Sequence, residues 1–185
     1  PAASLAHCRS LMVPAPLDDC LNLEPAMPAR KIVTLPSAPA SGPRFPVLPH
    51  EDYAEIMAIV AAYGRLYDDD RVDDFIDLLA EDAVFHPNRP GIVPEEICGR
   101  ETLREFFRQS RAGYHTRGVQ PRHYATNVII ASATAAAAEV TVSMAYAESR
   151  PGGGVELKLV GQYDYHLVKR SGRWSIARWS MRYDW

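Results

Sequence analysis

The sequence predicts an α+β fold, and three observations carry that expectation. Prolines crowd the first 49 residues and then thin out. Helical periodicity follows from Glu51 to Arg111, and four long strand candidates joined by short turns fill the remainder. Helices first and a meander afterwards pack as helices on one face of a curved sheet.

Ten of the 15 prolines lie in the first segment: Pro1, Pro14, Pro16, Pro25, Pro28, Pro36, Pro39, Pro43, Pro46 and Pro49. Proline removes a backbone donor and drives its predecessor out of the helical region, so residues 1–49 read as an extended arm. Leu17, Leu21, Leu23, Ile32, Val33, Leu35, Phe45, Val47 and Leu48 are too many apolar groups for a solvated linker. The arm is therefore expected to lie on the domain of residues 50–185 or on a neighbouring subunit, in a homodimer or homotrimer.

Ile56, Ile59, Val60, Tyr63, Leu66 and Tyr67 form one apolar stripe at helical spacing. A second short helix is expected over Val72–Leu79, a brief strand over Ala83–Phe85, and a loop through Pro87, Pro90, Gly91 and Pro94. A third helix runs over Glu101–Arg111, with Leu103, Phe106 and Phe107 on one side. The strands are expected at His123–Ala131, Ala138–Glu148, Val155–Lys169 and Trp174–Tyr183, with turns at Pro151-Gly152-Gly153-Gly154 and Ser171-Gly172. Phe75, Leu79, Val84, Leu103, Phe106, Trp174 and Ile176 are the expected core.

Composition narrows the function. With 47% hydrophobic and 23% charged residues the chain is globular. Its 20 basic and 23 acidic residues give a net charge of −3, without the concentrated positive charge that nucleic acid or anionic membrane requires. No apolar run approaches the ~18 residues of a membrane span. Cys8, Cys20 and Cys98 are widely spaced and odd in number, which reads as free thiols in a reducing cytosol. Without a basic segment and apolar core near the start, a cytoplasmic location is expected.

No phosphate-binding glycine loop, nucleophile elbow or H-E-x-x-H pattern is present. The histidines at 50, 86, 115, 123 and 166, with His7, include no i,i+4 pair, so neither a metal nor a cofactor is expected. Acid–base chemistry on a small molecule is what remains.

Two features carry it. Tyr63-Gly64-Arg65-Leu66-Tyr67-Asp68 ends the first helix, and Asp68 lies about 140° round from Tyr63, so a helix break would be needed to aim it inward. Otherwise Asp68, Asp69 and Asp70 are a solvated run opposing the helix dipole. His123 opens a strand on which His123, Ala125, Asn127 and Ile129 share a face. A buried His and Asn there need partners, either as a site or as satisfied core groups.

Tyr63 with Asp68, Asp82-Ala83-Val84-Phe85, Gly99-Arg100-Glu101, Arg122-His123 with Asn127, Gly161-Gln162-Tyr163 and Gly172-Arg173-Trp174-Ser175-Ile176 follow in register over residues 51–185. In this the chain resembles the SnoaL-like branch of the nuclear transport factor 2-like superfamily; residues 1–49 have no counterpart. The resemblance implies a cone-shaped α+β barrel, a strongly bent antiparallel sheet closed by three N-terminal helices around one deep pocket.

That branch includes scytalone dehydratase, a bile-acid dehydratase, a hexachlorocyclohexane dehydrochlorinase, polyketide cyclases and small subunits of ring-hydroxylating dioxygenases. The resemblance implies Asp68 and His123 as catalytic residues of a lyase or isomerase, of dehydratase or cyclase type, working without a cofactor on an apolar cyclic molecule, as in secondary metabolism. Tyr63, Phe85, Asn127, Met144, Tyr146, Tyr163 and Arg178 are the corresponding substrate-binding candidates. Two positions depart from the pattern: the strand after His123 offers Met144 and Tyr146 instead of a second histidine, and Tyr165 replaces an acidic residue. The alternative is a non-catalytic dioxygenase small subunit or a small-molecule binding protein.

Overall fold

A computed structural model describes residues 45–88 and 96–184. Helix α1 spans His50–Asp68, α2 Val72–Ile76 and α3 Arg100–Thr116; the strands are β1 (Leu79–His86), β2 (Ile97–Cys98), β3 (Gln120–Ala133), β4 (Ala137–Arg150), β5 (Gly154–Arg170) and β6 (Arg173–Tyr183). The expected arm lies outside the described residues except for positions 45–49.

The α1 stripe is buried at Ile56, Ile59, Val60, Tyr63 and Tyr67, as its spacing requires. Pro49 precedes the first turn and its carbonyl accepts the Tyr53 N–H at 3.0 Å. Glu51 and Asp52 suit the positive end of the helix. Asp52 also fastens that end to the sheet, taking hydrogen bonds from the Lys169 ammonium and, at 3.0 Å, from the Trp174 indole.

The six strands form one curved sheet in the order β2-β1-β6-β5-β4-β3. From β3 to β6 it is an antiparallel meander, whereas β1 joins β6 in parallel. A parallel pair needs a long crossover, and everything from β2 to β5 supplies it. The sheet stays open, with β2 and β3 as its edges, and α1 and α3 pack across its inner face against β1, β3 and β6. Register shifts at Thr126/Ile129, Tyr146/Ala147 and His166/Leu167 bend the long strands. At Gly161 a Cβ would stand 2.0 Å from the Arg182 carbonyl oxygen, so only glycine allows β5 and β6 this approach.

Phe75, Ile76, Leu79, Leu103, Leu167, Ile176 and Trp179 are wholly buried between helices and sheet, each side chain contributing about 1.5–3 kcal/mol. Val84, expected in the core, is only half-buried, because strand alternation turns Ala83 and Phe85 inward instead. Cys98 is not a free thiol: it is disulfide-bonded, and its partner lies outside the described residues. Separation along the chain carries no information on which sulfurs meet in space. Among the described residues no helix is long and apolar enough to cross a membrane.

Candidate active site

Two neighbouring stripes of α1 build one wall. Tyr63 and Tyr67 point into the core, while Gly64 and Asp68, also four residues apart, face the start of β3. No helix break is needed to aim Asp68 inward, since α1 runs unbroken to that residue and β3 lies on its second stripe. Asp68 Oδ2 accepts the backbone N–H of His123 at 2.6 Å, and Oδ1 lies 2.6 Å from His123 Nδ1. Those bonds offset the unfavourable placement of a carboxylate at a helix C-terminus. With both Asp68 oxygens accepting, Nδ1 carries the imidazole hydrogen and Nε2 the lone pair.

The rest of the acidic run is not simply solvated. Asp69 pairs with Arg65 and Arg122, and Asp70 with Arg111 at 3.2 Å and His115 at 2.8 Å. The bend after α1 is thus anchored to α3 and β3.

His123, with 12% of its side chain exposed against 3% for Asp68, is the face of the pair that meets a cavity. The cavity measures about 80 Å³, several times the ~10–15 Å³ that one water needs. Its walls are aromatic: Tyr63, Tyr67, Phe85, Phe106, Phe107, Tyr114, Tyr146, Tyr163 and Tyr183, with Met144, Leu159 and Met181. Of the expected residues, Tyr63, Phe85, His123, Met144, Tyr146 and Tyr163 line it, and Asp68 stands behind His123.

Asn127 and Arg178 do not reach it. Asn127 sits in the bulge between Thr126 and Ile129 with φ 50° and is exposed, because the bulge breaks the alternation that put it beside His123. Arg178 precedes the buried Trp179 and so projects from the opposite face, 56% exposed, with Glu96 at 3.8 Å.

Several cavity residues escaped the sequence reading. Ser110 and Tyr114 continue the Leu103-Phe106-Phe107 stripe of α3, which runs through Gly113 to Thr116 rather than ending at Arg111. Met181 and Tyr183 alternate with Trp179 on β6, a pattern that was available.

Burial pushes the phenols of Tyr63, Tyr67, Tyr146 and Tyr163 upward, so they work as neutral hydrogen-bonding groups. Tyr63 Oη accepts the Trp179 indole N–H at 2.8 Å and keeps its own hydrogen to donate. The geometry therefore combines an oriented imidazole with phenols in an apolar chamber. Among the described residues no cluster of three His, Cys, Asp or Glu suited to a metal ion is present.

An α+β fold with helices over a bent sheet and an aromatic chamber defines the class of protein. Residues 49–180 match the family model of the SnoaL-like domain, and the chain belongs to that family. Similar solved structures include Aln2 from a Streptomyces species, at 19% identity over 76% of this chain and 95% of that one, with a TM-score of 0.63. The β subunit of a candidate aromatic-ring-hydroxylating dioxygenase from Novosphingobium aromaticivorans is 18% identical over 73% and 90%, with a TM-score of 0.59. A candidate scytalone dehydratase from the same organism is 18% identical over 73% and 85%, with a TM-score of 0.58. At such identities the likeness carries the fold. No curated protein matches the chain significantly.

Proposed function

We propose that the protein is a lyase or isomerase of dehydratase or cyclase type, acting on an apolar cyclic small molecule by side-chain proton transfer. The observation that supports this most directly is the Asp68–His123 pair set in the wall of the aromatic cavity. His123 Nε2 takes a proton from a carbon beside a carbonyl, and the electron pair moves onto the carbonyl oxygen. Tyr63 donates to that oxygen, where preorganised donors stabilise developing charge. The imidazolium then returns its proton to a departing hydroxyl or to another ring carbon. Asp68 holds the tautomer and stabilises the imidazolium, as a buried acid does in a triad. A positioned base of this kind contributes about 10²–10⁴-fold.

Proton abstraction is measurable before the natural substrate is known. Ring ketones such as 2-tetralone, incubated with the protein in D₂O, are expected to exchange their α-protons faster than in buffer, as followed by NMR. His123→Ala should abolish the excess. Equal exchange by native protein and variant would remove the base assignment and favour the assembly-subunit reading that the dioxygenase β-subunit fold also suits.

A further inference from the structure

The cavity hydroxyls are not equivalent in direction. Tyr146 stands opposite His123 in the β3–β4 register, its ring 4.8 Å from the imidazole. Its hydroxyl donates to Glu148 Oε1 at 2.5 Å, away from the chamber. Glu148 follows Tyr146 by two positions on β4 and is buried, with only 5% exposure. Arg117 approaches its Oε1 at 3.5 Å and Arg150 its Oε2 at 3.9 Å. Between two guanidiniums Glu148 presents a carboxylate, which only accepts hydrogen bonds.

Tyr114, on α3, packs beside Tyr146 with ring centroids 6.4 Å apart. The one hydrogen of Tyr146 is committed to Glu148, so its oxygen has only lone pairs left to offer. This wall therefore offers oxygen lone pairs to a ligand. Tyr63, which accepts from Trp179, supplies a donor elsewhere in the same chamber. The proton transfer assigned to His123 and Asp68 makes no use of Glu148.

We propose that Glu148 is a positioning residue that fixes Tyr146 as a hydrogen-bond acceptor, so that the cavity selects cyclic ligands bringing a hydroxyl beside His123. This rests on reading the cavity as the substrate site and narrows the substrate class to phenols and ring alcohols. A carbonyl on the same ligand is served by Tyr63.

The test compares binding of 2-naphthol and 2-methoxynaphthalene to the full chain by calorimetry. The two differ by the hydroxyl hydrogen and a methyl group, so a one-ring pair, 4-methylphenol and 4-methylanisole, controls for the bulk of the methyl. Native protein is expected to favour the hydroxyl member of each pair about tenfold, the value of one good hydrogen bond. Glu148→Leu should bring that preference within about twofold, and Glu148→Gln, which keeps an acceptor oxygen, should retain it. Should Glu148→Leu not fold, Tyr146→Phe removes the same acceptor without touching the carboxylate and should lose the preference equally. Absence of a preference in the native protein, its persistence in a folded Glu148→Leu or in Tyr146→Phe, or no binding of either hydroxyl probe at millimolar concentration would each overturn the proposal. His123→Ala separates the two readings: lost α-proton exchange with the hydroxyl preference intact supports both, while native exchange without that preference leaves only the proton transfer standing.

Discussion

Gly64 and His123 meet where α1 crosses the start of β3: a Cβ on Gly64 would lie 3.0 Å from the His123 Cβ and 3.4 Å from its carbonyl oxygen. The absent side chain is what lets β3 come close enough for Asp68, one turn further along α1, to hold both nitrogens of His123 that face it. A glycine inside a helix costs about 1 kcal/mol relative to alanine, and here that cost accompanies the placement of the imidazole.

Gly64→Val should therefore displace β3 and lengthen the Asp68–His123 contact. Overpacking of this kind costs about 1–3 kcal/mol. Thermal unfolding should show the lower stability, and the imidazole Nδ1–H resonance in NMR should weaken or vanish. An unchanged resonance would mean that the contact does not set the pair.

Asp68→Asn keeps the shape of the residue but no longer stabilises an imidazolium. It should reduce α-proton exchange on ring ketones at least ~10²-fold, in the range expected for loss of general-base function. Binding of the same ketones should change little, which calorimetry would check. Retention of full exchange by both Asp68→Asn and His123→Ala would move the chemistry to another group.

Phe75 has no exposed surface and packs edge-on against Phe107 at 4.8 Å and Tyr63 at 5.0 Å. Phe75→Ala should cost about 3–5 kcal/mol. Phe106 already borders the cavity, so Phe106→Ala should cost less than Phe75→Ala. Denaturant titrations of the two variants would rank them, and the reverse order would contradict this packing.

Asp52 supplies a pH dependence. Hydrogen bonds from Lys169 and Trp174 hold its carboxyl below the usual carboxylate range. A group depressed in the folded state stabilises above its unfolded value, about 3.9, and that stability is lost as pH falls through the folded value. Asp52→Asn should lower Tm at pH 7, and the gap from native protein should narrow below about pH 4. A gap independent of pH would assign the effect to packing alone.

The fold was legible because its signals are local: the α1 stripe, the strand runs and the glycine turns each report on their own segment. The site was legible in part. Tyr63, Phe85, Met144, Tyr146 and Tyr163, which the family resemblance implies, sit on the inward sides of α1, β1, β4 and β5 and line the cavity, whereas Asn127 lies in a bulge that no local pattern announces. Arg178 failed differently, since its neighbour Trp179 already claimed the inner face. Glu148 was passed over because a carboxylate near a strand end reads as solvated unless Arg117 and Arg150 are known to converge on it. The disulfide at Cys98 removes the thiol argument for a reducing compartment, since persistent disulfides belong chiefly to oxidising ones.

The parallel seam between β1 and β6 has a consequence for the order of assembly. Phe85, early in the domain, stacks on Trp179, near its end, at 4.7 Å and 19° between ring planes. Until the last strand is available, β1 has no inner neighbour and the chamber has no floor. Such pairings between distant segments close loops late and slow the search for the native state. A chain still emerging from the ribosome therefore carries its imidazole and carboxylate long before it can shelter them. In a variant that keeps Trp179 as its one tryptophan, the blue shift of emission as that wholly buried indole leaves water would time the moment when the chamber is complete.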